Sequence, residues 1–279
     1  MNARQVIEIR PAHPSRDGDG VAIQRIAGMG HAGMDPILMV DELRSNYRED
    51  FAGGFPPHPH RGMQTLTYMK AGGIVHQDSQ GNRGEIRGGG AQWMSAGRGI
   101  IHSEMPTQDT RGLHGFQLWV NLPAAEKMSP PRYRDVPAAE LATLDGGHFS
   151  ATAVAGDWQL DGAALRGPLH ELAERAGVLD VHLQPDGTLG VAAEAGHTLL
   201  AYLYQGSLAV RGQRVGPQQL LVTGPGDGWT LQAGPEGAEF LLLAGPPLGE
   251  PVAHYGPFVM NTQAQIEQAI RDYQAGEFA

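Results

Sequence analysis

Two short stretches of this 279-residue chain set possible metal ligands at alternate positions. Residues 53–64 read GGFPPHPHRGMQ, with His58 and His60 flanking Pro59; residues 97–106 read GRGIIHSEMP, with His102 and Glu104 at the same spacing. On an extended strand, side chains at i and i+2 share a face, their Cα atoms roughly 6–7 Å apart. Two such pairs on neighbouring strands would converge three imidazoles and one carboxylate on one point. That donor set suits Fe(II), Mn(II), Co(II), Ni(II), Cu(II) or Zn(II) and is a poor match for Ca or Mg. In an octahedral shell, four protein ligands leave two positions open, which makes a reaction centre and not a closed structural clamp. Glu104 is then both a ligand and the nearest base. The plainer alternative is that these are satisfied structural histidines.

The elements that must hold these residues are strands. "ILMVDEL", "QTLTYMKAG", "GIVHQD", "AQWMSAG", "GIIHSEM" and "GFQLWVNL" are strand-sized runs bounded by turn residues. Pro59 cannot donate to a ladder, so its strand is expected at an edge or barrel rim. "SQGNRGE" (79–85) fits a hairpin turn, and 123–147, rich in Pro, Ala and charge, reads as a connection between halves. Strand-like runs resume with "VLDVHLQ", "HTLLAYLYQGSLAVRGQRV", "GWTLQA" and "EFLLLAG", where Gly206 suggests a tight turn. At the end, Thr262 and Gln265 form a possible capping box. Ile266, Ala269, Ile270 and Tyr273 follow at helical spacing and Gly276 suits a stop, so a helix is predicted over 262–275.

Composition agrees. Gly 40 and Pro 20 make up about a fifth of the chain, against ~12% ordinarily, and they punctuate short apolar runs. The fold expected is all-β, two tandem barrels with a short C-terminal α-helix. The division expected is 1–135 for the metal-binding domain and 136–279 for a second domain ending in the helix. No HxH or HxE pair occurs in the second half, so no metal is expected there. His76 could back a ligand, but polar pairing in the core or rim is the simpler reading; His114 reads as structural. A formal charge of −10 with no basic run argues against direct nucleic-acid binding. With no cysteine, thiolate sites and thiol catalysis are excluded. The first twenty residues lack an apolar core of signal-peptide length and no run could span a bilayer, so no membrane role and a cytoplasmic address are expected.

"GFPPHPHRG", "QWMSAGRGIIHSEMP", "GFQLWVNLP", "PPRY" and "GPFVMNT" together resemble the pirin family of the cupin superfamily, over nearly the whole chain. The resemblance implies a bicupin whose N-terminal barrel binds one metal, usually iron, through His58, His60, His102 and Glu104, while the C-terminal barrel has lost its site. It also implies two functions. Some bacterial members look like quercetin 2,3-dioxygenases, opening flavonols with O2 and releasing CO; eukaryotic members act as metal-dependent transcriptional cofactors. The leading expectation is therefore a metal-dependent dioxygenase with a flavonol-like substrate. The alternative is an iron-dependent module whose partner is another protein, with the C-terminal helix as a docking feature. A different metal-assisted reaction, such as an isomerisation or a hydrolysis, is a third reading. Three residues depart from the family pattern: Gln64 where Glu is commoner, Ala91 for Asp, and Ile37 for Phe. None is a ligand.

Overall fold

The computed structural model describes residues 2–278. Strand accounts for 57% and helix for 7%, in keeping with the all-β expectation. In chain order the first twelve strands are β1 (Val6–Pro11), β2 (His13–Asp17), β3 (Val21–Ala27), β4 (Ile37–Ser45), β5 (Phe55–His60) and β6 (Met63–Ala71), then β7 (Gly73–Asp78), β8 (Arg83–Arg87), β9 (Ala91–Ser95), β10 (Ile100–Pro106), β11 (Leu113–Asn121) and β12 (Arg132–Val136). The helix α1 spans Gln263–Gln274. No helix among the described residues is long and apolar enough to cross a membrane.

The chain forms two compact units, and they differ from a single cut at 135/136. One contains 13–30, 37–139 and 248–279; the other contains 1–12, 31–36 and 140–247. Edge pairing and apolar burial explain the exchange of ends. The strand β1 adds to the second unit's sheet by pairing antiparallel with Gln219–Thr223. The helix spends its apolar face on the first unit: Ile266 and Ala269 are buried in a cluster with Phe258, Met260 and Phe278, against which Ile101 of β10 also packs. Its capping box forms as expected, Thr262 accepting from Gln265 N–H and Gln265 from Thr262 N–H.

In the first unit two sheets position the site. One runs β5-β10-β7-β8 and the other β12-β9-β6-β11-β4-β3-β2. The Pro59 strand lies at an edge, as its missing N–H requires. Residues 79–82 turn between β7 and β8, with Gly81 at φ +84°. The supposed connection is partly strand: 123–147 contributes β12 and Ala142–Asp145.

The second unit is an 11-stranded sheet around an apolar interior that includes Ala151, Ala153, Leu179, Val181, Leu183, Leu199, Ala201 and Leu203. Gly206 is a bulge and not a turn. Thr198–Val210 is one strand whose register shifts at this residue, and at φ +73° a Cβ there would meet the Gly237 carbonyl at 2.2 Å.

Candidate metal centre

The strands β5 and β10 pair antiparallel with His58 opposite His102 and His60 opposite Ile100. Along β10 burial alternates, taking Ile100, His102 and Glu104 inward. The i, i+2 spacing thus does in the fold what a strand's geometry demands of it. His58, His60 and His102 come together, each offering a ligand atom within 4.8 Å of the others. Ring centroids are 4.9 Å apart for His58–His60, 4.4 Å for His58–His102 and 4.9 Å for His60–His102.

Their protonation suits a cation. His60 is 1% exposed and His102 2%. Burial holds both imidazoles well below the usual histidine range, and neighbouring histidines add to this, His58 for His60 and His60, His58 and His76 for His102. They are therefore neutral at physiological pH, with a lone pair each. Three buried nitrogens lack any protein hydrogen-bond partner: His60 Nδ1 and Nε2, and His102 Nε2. The Pro56 carbonyl, 2.8 Å from His58 Nδ1, can only accept, so Nδ1 is the donor of that pair. Neutral His60 and His102 each have one acceptor nitrogen, and a buried acceptor without a partner is costly unless something electrophilic meets it. Three clustered imidazoles fit a divalent transition metal.

Glu104 is on the same cavity wall but is not held by the histidines. Thr67 Oγ1 donates to its Oε1 at 2.8 Å, and Gln117 Nε2 donates to its Oε2 at 3.0 Å. The cavity is about 550 Å³ and is lined by Met39, Phe55, Pro56, His58, His60, Glu104, Gln117, Trp119 and, from the C-terminal segment, Gly256 and Pro257. Asp17, Asp19 and Asp41 complete it on one side. Burial pushes the Asp41 carboxyl above the usual carboxylate range, opposed by Arg25, which donates to both its oxygens at 2.8 and 2.6 Å.

The family models supply the decisive comparison: the one described as Pirin matches residues 21–120, and the one described as Pirin C-terminal cupin domain matches 178–279. The chain belongs to the pirin family. A Vibrio cholerae serotype O1 protein named "Putative quercetin 2,3-dioxygenase" is 46% identical over 276 residues, covering 99% of this chain and 98% of that one. Pirin-1 of Arabidopsis thaliana is 35% identical over 279 residues, covering 97% and 93%. Among solved structures, a quercetin 2,3-dioxygenase from Acinetobacter baumannii superposes with a TM-score of 0.89 at 30% identity, over 99% of each chain. A bacterial pirin from Escherichia coli in complex with nickel(II) shares the fold, with a TM-score of 0.60 at 22% identity over 86% of this chain and 99% of that one.

Several contributors to this pirin's site escape a reading of motifs. His76 is fully buried, with its Nδ1 3.3 Å from His102 Nδ1 and its Nε2 3.1 Å from Asp78 Oδ2. The signal was present, since His76 and Asp78 are a third i, i+2 pair. Thr67 and Gln117 come from β6 and β11, and nothing local marks them. His114 pairs with Glu42 at 3.1 Å, a structural contact. Gln64 is buried and accepts from Trp93 Nε1 at 3.1 Å. It lies on the opposite face of β6 from Thr67, away from the cavity.

Proposed function

We propose that this pirin is a metal-dependent dioxygenase of quercetin-like flavonols, with His58, His60, His102 and Glu104 as metal ligands and iron(II) as the metal. The observation that carries the reading is a cluster of three imidazoles, two of them buried with nitrogens that no protein group partners, opening on a cavity of about 550 Å³ that also holds a carboxylate. Similarity to proteins named as quercetin dioxygenases supports the substrate class. A metal bound here supplies charge to stabilise a substrate oxyanion and a redox partner for dioxygen.

The chain's own residues do the rest. Trp119, Met39, Phe55 and Pro257 offer flat apolar surface to aromatic rings, and a cavity of this size is ordinary for a small-molecule site. Glu104 is the base that takes the substrate's 3-hydroxyl proton. Gln117 and Thr67 hold that carboxylate from behind, fixing its aim. The protein-binding alternative loses its sequence support, because α1 uses its apolar face on its own barrel.

The test is O2 uptake and CO release with quercetin under metal-replete conditions. Wild type is expected to turn over at least 100-fold faster than Glu104→Ala, the usual range for a lost general base being about 10²–10⁴. Equal rates would sink the assignment. Elemental analysis of His58→Ala and His102→Ala should find the site empty in a folded protein. A full equivalent of metal in either means that the ligands are wrong.

A further inference from the structure

We infer that Asp78 and His76 are positioning residues that fix the tautomer of His102 and so present its Nε2 to the metal. The inference rests on the metal reading above. It starts from β7, which pairs with β10 so that Asp78 lies opposite His102 and His76 opposite Glu104. Both side chains are fully buried, and three hydrogen-bonding contacts run in series from the turn to the metal ligand.

The direction of that series follows from which atoms can donate. Asp78 Oδ1 accepts from the backbone N–H groups of Gln80 and Asn82, each at 3.0 Å, and Oδ2 accepts from Asn82 Nδ2 at 2.9 Å. Both Asp78 oxygens thus act as acceptors. The His76 nitrogen 3.1 Å from Oδ2 is Nε2, so the His76 proton sits there. The other ring nitrogen, Nδ1, is then the acceptor, and it faces His102 Nδ1 at 3.3 Å. One of two facing nitrogens must donate, and only His102 has a proton to give. His102 is thereby the Nδ1–H tautomer, and its bare Nε2 is the atom left without a protein partner. The opposite tautomer would press an unpaired N–H against the rings of His58 and His60, whose centroids lie 4.4 and 4.9 Å from that of His102.

The surroundings hold His76 in this role. Its ring packs at 4.6 Å and 31° on Tyr133, whose hydroxyl donates to Asp135 Oδ1 at 2.6 Å. Gly84, directly across from His76 on β8, makes room for this stack: a Cβ there would lie 2.1 Å from the Tyr133 hydroxyl. An acceptor behind a ligating imidazole sets its orientation and basicity, and its loss costs typically 10–100-fold in metal affinity.

The test is long-range 1H–15N correlation NMR on the metal-free protein, paired with metal affinity from competition with a chromophoric chelator. Wild type should show His102 protonated at Nδ1 and bare at Nε2. In Asp78→Asn the carbonyl stays with the two turn N–H groups and the amide N–H faces His76. His76 then flips to Nδ1–H and drives His102 to Nε2–H, and affinity falls about 10–100-fold. His76→Phe removes the acceptor and should lose as much, whereas His76→Asn returns an acceptor near Nδ1 and should recover most of it. These two variants carry the test if Asp78→Asn does not fold. A wild-type His102 protonated at Nε2, as a charged His76 would impose, overturns the inference. So does a folded set in which all three variants bind metal as wild type does. Wild type that binds no metal overturns the metal reading instead, and the NMR tautomers then show the hydrogen-bond series without its purpose.

Discussion

Acid should unfold the metal-free protein in a window set by two side chains. His60 and His102 are buried and held well below the histidine range, whereas in the unfolded chain each returns to about 6.5. As pH falls below about 6.5 the unfolded state takes up two protons that the folded state refuses, so stability is lost on acidification and restored as pH rises. Between pH 6.5 and 5.5 each site costs about 1 kcal/mol, or about 2 kcal/mol for the pair, and the slope then approaches about 2.7 kcal/mol per pH unit. That is large against a typical 5–15 kcal/mol of total stability. Asp41 works the other way, since a carboxyl held above its ordinary range gains stability as pH falls. The assay must therefore be a difference: urea unfolding of chelator-treated wild type against His60→Gln/His102→Gln, at steps from pH 7 to 5. Asp41 and the other ten of 12 histidines are common to both proteins and cancel. Wild type should weaken by about 2 kcal/mol more than the variant between pH 6.5 and 5.5. Parallel pH profiles would show that these imidazoles are not held neutral, and the argument from free lone pairs would fall with them.

Two further substitutions test what lies around the cluster. Gln64→Glu should leave metal stoichiometry unchanged, because the side chain meets Trp93 on the far face of β6 from Thr67. Burial raises the new carboxyl's pKa, so urea midpoints should show a loss at about pH 8 that shrinks at about pH 5.5. Arg61→Met should loosen the C-terminal segment, since the Arg61 side chain, 5% exposed, donates to Asp272 Oδ2 at 2.7 Å and lies 4.3 Å over the Phe278 ring. At about 2–3 kcal/mol for such a buried pair, amide exchange across Gln263–Gln274 should speed up roughly 30- to 150-fold. Unchanged exchange would mean that the helix is held by its apolar face alone.

How much of this was legible depended on range along the chain. A period of two is a local property, and the meeting of His58, His60 and His102 could be read from it. The edge position of Pro59 and the box that opens α1 are local readings too. What the chain hides is which strands become neighbours. Thr67 and Gln117 stand 37 and 13 residues from Glu104, and only β6–β11 pairing brings them to it. The compact units interleave along the chain for the same reason, since neighbours in sequence need not stay neighbours in space. Lys127 shows the cost of reading composition alone. It stands in a stretch that looks like a solvated linker, yet its ammonium is 1% exposed, bonded to Gly62 O at 2.7 Å, Asn121 Oδ1 at 2.6 Å and Val259 O at 3.1 Å, and burial pulls its pKa down to about 8. His76 and Asp78 carry the same alternate spacing, but only the pairing of β7 with β10 sets them behind His102.

The two units together separate what the barrel contributes from what the residues contribute. In both, alternate positions on antiparallel strands face one interior. In the first unit Ile100, His102 and Glu104 occupy successive inward positions of β10. In the second, Gly177–Leu183 and Thr198–Val210 send Leu179, Val181, Leu183, Leu199, Ala201 and Leu203 into the core. Aliphatic side chains at these positions pack densely and offer no lone pair, so that interior contributes stability through burial, each large side chain by about 1.5–3 kcal/mol. Imidazoles at the equivalent spacing give up that stabilisation, leave orphan nitrogens and tie the fold to pH. A chain gains nothing in stability by placing two buried neutral histidines where leucines would pack. The loss is offset only if a cation meets the nitrogens, and a cation bound there would make the metal-free state the weaker one.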